Sequence, residues 1–398
     1  MKKSFFNTIV CLTLFLFALT ACHTQSSRET PVIRGYSDEP LINGLGLDMK
    51  DVRIVPLETS KESALSHVVD IGFFGDNLLV QDAGHRLLCF DRQGHFLFPV
   101  GMRGRGNGEY LRINAFAVNE SDTTVTIFDE TSGRIITYDA IGELLESVRL
   151  DGKLLYMLQR VAPIPNDERG DYLCSGYVHK DYNRIYSLLS IKNSFCQELQ
   201  TTPMKTRGTA EIIGIHPINQ YGGRLSLILP FSNSVFEYLP EEKKIVPRMT
   251  VSVGPKTKLL SQKQISRIDN YSIMLKSELM AQNYFPGFSS LYETNDYIYL
   301  DMDGRLYFLI DKNNNTGVAY EGYIGEIHPD ANPLISVKLS DGNSFVGMLE
   351  PWRIKTLRNQ FDAMIDCKEL SLFYKAMMAL PDSCLEDGNN PCLVFYQL

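Results

Sequence analysis

From residue 51 onward, short apolar runs alternate with polar turn residues along the chain. Residues 52–57 form an extended run with Pro56 near its end, which suits an edge strand. Apolar runs at 68–74, 77–82, 86–91 and 95–98 follow, separated by Gly, Asp and Asn turn signals. Runs of this length, joined this closely, predict an antiparallel meander. The same order returns at 115–118, 124–129, 134–139 and 144–150. Asp91 aligns with Asp139 and Gly94 with Gly142, each offset by 48 residues, and Asp82 with Asp129, offset by 47. A four-stranded unit repeating at this period predicts a β-propeller blade. Looser pairs of runs, 172–176 with 185–189, 225–229 with 235–238 and 297–301 with 306–311, predict three more blades, and 344–348 opens a sixth. The prediction is an all-β, six-bladed propeller of four-stranded antiparallel blades.

Two stretches change period from two to helical. Residues 261–282 carry Ile265, Ile268, Ile273, Leu275 and Leu279 with few breakers, which predicts a surface helix. Residues 351–380 place Trp352, Ile354, Leu357, Phe361, Met364 and Ile365 at helical spacing, and a second piece at 370–379 is stopped by Pro381. The chain ends on an apolar strand, 392–398. A circular array must join its ends, so this strand is expected beside 52–57, completing one blade and removing exposed edges.

The N-terminus supplies an address. Lys2 and Lys3 precede an apolar run at 5–19 interrupted only by Asn7, Thr8 and Thr13, and Leu19-Thr20-Ala21-Cys22 follows. A short apolar run before small residues is a secretory signal pattern, too short to span a bilayer comfortably. With Cys22 directly after Ala21, it resembles the bacterial lipoprotein signal. That resemblance implies cleavage before Cys22, lipid modification of that Cys with palmitate-type chains, and anchoring to a membrane. His23 in place of Asp at the next position leans toward the outer membrane by the enterobacterial sorting rule. Periplasmic and surface faces both stay open. The expected division is a signal peptide at 1–21, a lipidated Cys and flexible tether at 22–50, and one propeller at 51–398.

The formal charge of −8, nearer −10 once Lys2 and Lys3 are removed, argues against nucleic acid as a partner. The cysteines at 89, 174, 196, 367, 384 and 392 form no CxxC pair and no zinc pattern. Cys89 reads as a small core residue, and a Cys367–Cys384 bridge is conceivable in an oxidising compartment. The seven histidines show no HxH or HExxH, so no metal or cofactor is expected, and no Gly-x-Ser-x-Gly elbow or sialidase-type Asp box occurs. Asp82, Asp91, Asp129, Asp139, Asp301 and Asp311 lie at strand ends, where Asp usually caps a turn through its own backbone. The 20 tyrosines and 21 phenylalanines leave room for stacking on sugars, although tyrosines spaced like Tyr297 and Tyr299 usually serve sheet packing.

The most distinctive stretch is Gly101-Met102-Arg103-Gly104-Arg105-Gly106-Asn107-Gly108-Glu109-Tyr110, between two apolar runs. It lacks the Gly-Lys-Ser/Thr ending of a P-loop and precedes a strand rather than the helix a dinucleotide fingerprint needs. It is therefore expected to be an exposed crossing between blades, with Arg103, Arg105 and Arg112 as the best candidates to pair an anionic ligand. Glu109 and Tyr110 complete the candidate binding set.

This stretch, together with Val52-Arg53-Ile54-Val55-Pro56-Leu57-Glu58 and Phe90-Asp91-Arg92-Gln93-Gly94, resembles the six-bladed, NHL-like propeller lipoproteins of Gram-negative bacteria. The crossing is similar to a family stretch Gly-Arg-x-Gly-x-Gly-Pro-Gly-Glu-Tyr, departing from it at Met102 and at Asn107. The ending Glu386-Asp387-Gly388-Asn389-Asn390-Pro391 followed by a strand is similar too. The resemblance covers nearly the whole mature chain and implies the propeller fold, but it carries no settled activity. The expectation is a monomeric envelope binding module without catalytic residues, its partner a glycan, a peptide or an envelope protein. The alternative is a propeller hydrolase or lyase acting on glycans.

Overall fold

The computed structural model describes residues 32–34, 47–150, 158–167, 170–176, 178–179, 184–204, 209–210, 216–269, 273–302, 306–321, 333–363 and 370–398. The expected signal peptide, Cys22 and Cys367 lie outside the described residues. All described residues belong to one compact unit, Val32–Leu398.

Six sheets of antiparallel strands each supply one blade. Blade one comprises Val68–Phe74, Asn77–Asp82, Leu87–Phe90 and Phe96–Pro99. Blade two comprises Ala115–Asn119, Thr124–Asp129, Arg134–Tyr138 and Leu144–Arg149. Blade three comprises Leu158–Pro163, Asp171–Gly176, Arg184–Ser190 and Phe195–Thr201. Blade four comprises Ile218–Tyr221, Arg224–Ile228, Ser234–Leu239 and Lys244–Ser252. Blade five comprises Ser290–Glu293, Tyr297–Met302, Leu306–Asp311 and Thr316–Glu321. Blade six takes Val337–Ser340, Ser344–Leu349 and Cys392–Gln397 from one end of the unit and Asp51–Pro56 from the other. The first strand of each blade touches the first strand of the next, and blade six returns to blade one, so the ring is closed.

The apolar pattern follows from this packing. Middle strands are buried on both faces, so successive side chains feed different cores. Leu78, Val80, Leu88 and Phe90 pack toward blade six, whereas Leu79, Leu87 and Cys89 pack toward blade two. One such cluster fills each interface between blades. The 48-residue repeat is a repeated hairpin: the Asp91 carboxylate accepts from the Gln93 and His95 amides, and Asp139 accepts from those of Ile141 and Glu143.

Blade six closes as expected. Asp51 pairs with Gln397 and Pro56 with Cys392 in antiparallel register, and Lys50 Nζ donates to the Leu398 carbonyl at 2.7 Å. Within the stretch expected as a tether, Val32–Arg34 pairs in parallel with the outer edge of blade four, opposite Thr250, Val251 and Ser252. Leu47 and Met49 are also buried, so the ordered body begins before residue 51.

The expected helix at 261–282 is two helices, Gln262–Ile265 and Ile273–Ala281. Ser261 caps the first in a capping box with Gln264, and Ser266 follows it as the C-cap. The second insertion holds Pro351–Asp362 and Leu372–Met378, which bury Ile354, Leu357, Phe361, Phe373 and Met377 against blades five and six. Among the described residues no helix is long and apolar enough to cross a membrane.

Strand order makes the two faces of the ring unequal. Links from second to third strands, and from outer strands to the next blade, emerge on one face. That face carries the long connections 57–67, 100–114, 253–289 and 350–391. The opposite face carries tight hairpins such as 75–76, 91–95 and 222–223. Long loops on a rigid scaffold are where binding groups usually sit.

Candidate functional site at the axis

The inner strands of blades one, three and six share an irregularity at the end nearest the long connections. Register slips between Val68 and Asp70, between Leu158 and Arg160, and between Val337 and Leu339. Each slip leaves one extra residue, Val69, Gln159 or Lys338, unpaired with the second strand. Such bulges re-aim side chains, and here they bring Asp70, Arg160 and Lys338 toward a common centre.

Arg160 forms an ion pair with Asp70 across blade two, whose inner strand brings Ala115, Phe116 and Ala117 and no charge to this level. The pair therefore links blades one and three past blade two instead of joining neighbouring blades. Asp70 also accepts from the Ile71 amide at 2.8 Å. The second terminal nitrogen of Arg160 lies 3.3 Å from His216 Nε2. His216 precedes the inner strand of blade four, and its amide donates to the Ser289 carbonyl at 3.2 Å, at the entrance to blade five. Burial first, then the charges of Arg160 and Lys338, push the His216 imidazole well below its usual range. It is accordingly neutral, and the contact to Arg160 assigns Nε2 as acceptor, with the proton on Nδ1.

Blade five completes the cluster. The Tyr292 ring lies 5.3 Å from that of His216. Its buried hydroxyl has no hydrogen-bond partner among the described residues; Ser290 lies close, but short of hydrogen-bond geometry. Burial raises the Tyr292 phenol well above its ordinary value, partly opposed by Arg160. Asp301 accepts from Ser289 Oγ at 3.3 Å. Lys338 is half-buried and makes no hydrogen bond or ion pair with any described residue. Burial and then Arg160 lower its ammonium, with Asp301 acting in the opposite direction.

Asp82, Asp91, Asp129, Asp139 and Asp311 each accept from backbone amides of nearby turns or connections. The Asp301 charge acts instead on Lys338 and Tyr292 of the axial cluster. From Tyr292 a row of tyrosines runs outward through blade five, one per strand: Tyr299 at 6.1 Å, then Tyr307 at 5.3 Å and Tyr320 at a further 5.3 Å.

The crossing at 101–110 sits on the same face of the ring. Gly101 and Gly108 have φ of +60° and +77°. A Cβ on Gly101 would strike the Tyr138 ring, and one on Gly108 would lie 2.8 Å from Leu144. The Tyr138 hydroxyl donates to the Gly108 carbonyl at 2.9 Å. Glu109 accepts from the Gly106 amide at 2.7 Å. Tyr110 is buried, its hydroxyl donating to the Val100 carbonyl at 3.4 Å, and burial raises its phenol to about 12. Glu109 and Tyr110 thus hold the crossing together, while Arg103, Arg105 and Arg112 are exposed. Arg103 and Arg112 both act on His85, whose Nδ1 is buried without a hydrogen-bond partner among the described residues. Among the described residues these arginines make no hydrogen bond or ion pair with the Arg160–Lys338 cluster.

Among the described residues no group of His, Cys, Asp or Glu is arranged to hold a metal ion. Cys89, Cys174, Cys196, Cys384 and Cys392 carry no disulfide. A cavity of about 190 Å³ lies beside blade five, lined by Leu47, Tyr297, Thr316 and Leu398 among others. It is smaller than a usual small-molecule pocket of about 300–1,000 Å³.

Two crystal structures are similar across most of their length. A "Putative exported protein" from Bacteroides fragilis has a TM-score of 0.67 at 16% identity, covering 92% of this chain and 99% of that one. A member of the DUF4221 family from Bacteroides vulgatus has a TM-score of 0.53 at 9% identity, covering 88% and 96%. At these identities the likeness shows the fold. The comparison with curated proteins finds no match. The model of DUF4934, a domain of unknown function, matches residues 47–397, the span of the closed ring, and the chain belongs to that family.

Proposed function

We propose that this protein is an exported, lipid-anchored binding module of the cell envelope, taking its ligand or partner on the face that carries the long connections. One observation carries this reading: the bulged inner strands bring a charged cluster to the axis at that face, where the long connections also gather. The exposed Arg103, Arg105 and Arg112 extend the same face, and Arg forks suit carboxylates. Cys22 after Leu19-Thr20-Ala21 supports the anchor, and the description of the Bacteroides fragilis relative as exported accords with it. We place it at the outer membrane, acting as a monomer toward a glycan, a peptide or an envelope protein.

The test uses the mature chain with Cys22→Ser, screened against polysaccharides and detergent-solubilised envelope. Arg103→Ala with Arg105→Ala should weaken binding of acidic material while leaving the melting temperature within about 1 °C, since both side chains are exposed. If that double variant unfolds, the crossing is structural and the arginines are not the site. Loss of palmitate labelling in Cys22→Ala checks the anchor.

A second reading, glycan hydrolysis or elimination, is favoured by the gathering of Asp70, His216, Tyr292 and Asp301 at one place. An acid or base must reach substrate. His216 is only 7% exposed and Tyr292 3%, and His216 Nε2 already faces Arg160. Binding is therefore the better-supported reading. Product formation from acidic or neutral polysaccharide, lost in His216→Gln and Tyr292→Phe, would reverse that order.

A further inference from the structure

We infer that Lys338 and Arg160 form a recognition point for a single carboxylate on a small ligand at the axis, an inference that rests on the binding reading above. Three features lead there. The first is construction. Arg160 and Lys338 come from blades three and six, each at or beside the extra residue of a bulge at the same level of the ring. In both blades the irregularity is confined to the inner ladder's side, since the next ladder, between second and third strands, runs in regular antiparallel register.

The second is an imbalance of partners. Asp70 satisfies one side of Arg160, and His216 faces another. Lys338 has no hydrogen bond or ion pair with a described residue, although it is half-buried. A cation withdrawn from water is stable when an anion meets it. Asp301 is near enough to favour the charged form of Lys338 but does not form an ion pair with it.

The third is the sign and number of charges. Two cations stand among two carboxylates, Asp70 and Asp301, which would repel a dianion such as a phosphate monoester. One negative charge, bridging the Lys338 ammonium and the Arg160 fork, fits that field. Two sources share this chemistry: a uronic acid in a glycan and the C-terminal carboxylate of a peptide.

Calorimetric titration of the mature chain distinguishes them. The probes are a trigalacturonate and a tripeptide with a free C-terminus, each beside its neutral partner, the methyl ester or the amide. One carboxylate probe should bind at least tenfold more tightly than its neutral partner, and the probe that does so identifies the source. Lys338→Met should lose that tenfold preference and Lys338→Arg should keep it. Lys338→Met should also melt at the same temperature as the parent or higher, because it removes an unpaired, partly desolvated charge. A structural role for Lys338 would instead lower the melting temperature. Equal binding of acid and neutral probes, full affinity in Lys338→Met, or no binding of either acid at millimolar concentration overturns the inference. If envelope material still binds without competition from either acid, the binding module stands and only the carboxylate site fails. If nothing binds, both fail.

Discussion

Glu293 offers the sharpest test of how the blades are held together. It ends the inner strand of blade five, is 1% exposed, and meets Arg248 of blade four through paired contacts of 2.6 and 2.8 Å. Lys312 Nζ adds a third contact at 3.0 Å, and Ser226 Oγ also reaches the carboxylate. Burial is the largest single influence on Glu293 and acts to raise its carboxyl. The hydrogen bonds and charges of Arg248 and Lys312 together outweigh it, holding the group below its usual value. Glu293→Gln leaves two cations facing each other with no anion between them. Breaking a buried pair on one side costs about 3–5 kcal/mol. Unfolding entropy near 2.1 cal/mol/K per residue gives about 0.7 kcal/mol/K for a body of about 350 residues, so melting should fall by about 4–7 °C. The pH dependence has a definite sign. A carboxyl depressed in the folded state stabilises fully above its unfolded value, about 4.3. That contribution is lost as pH falls through the lower folded value. Calorimetry from pH 7 to pH 3 should therefore show the gap between parent and variant closing only below about pH 4.3. A variant within 1 °C of the parent at pH 7, or a gap that does not change with acidification, refutes the reasoning.

Asn390 should prove nearly as costly to lose. It is 2% exposed, its Nδ2 donates to the carbonyls of Glu58 at 2.6 Å and Ser63 at 2.9 Å, and its Oδ1 accepts from the Leu65 amide at 2.8 Å. Asn390→Ala strands three backbone groups and should cost about 3 kcal/mol in urea unfolding; an unchanged midpoint would show that water replaces the side chain. Removing residues 391–398 should leave Asp51–Pro56 and Ser344–Leu349 with open edges and produce aggregates on size-exclusion chromatography. A soluble monomer from that truncation would mean that the ring does not need its seam.

The fold was legible where strands are buried on both faces. Runs such as 77–82 and 124–129 are apolar throughout because each side chain enters one of two cores, so they stand out from any loop. The closing pair was legible for the same reason, Cys392–Gln397 lying in the middle of blade six. Inner strands were harder to see. Leu158–Pro163 and Ile218–Tyr221 have only one neighbour in their sheet and mix Gln, Arg and Asn with apolar residues. These are the strands that carry or adjoin the axial cluster, so Arg160, His216, Tyr292 and Lys338 escaped notice. Asp70 left the best available signal, a carboxylate inside an otherwise apolar run. At the crossing, glycine spacing announced tight geometry, but only packing distinguishes Glu109 and Tyr110, turned inward, from Arg103 and Arg105, turned out.

The seam in blade six also sets the order of events in time. Asp51–Pro56 is made well before its partner Cys392–Gln397, and bonds such as Lys50 to Leu398 join residues 348 apart. Closing a loop that long costs roughly 3 kcal/mol more than closing a ten-residue hairpin. Five blades can zip from neighbouring segments while the sixth waits, so the last closure is the slow, length-limited step. A chain delivered from its N-terminus would hold Asp51–Pro56 unsatisfied until Cys392–Gln397 arrives, which makes that interval the moment when a chaperone has most to protect.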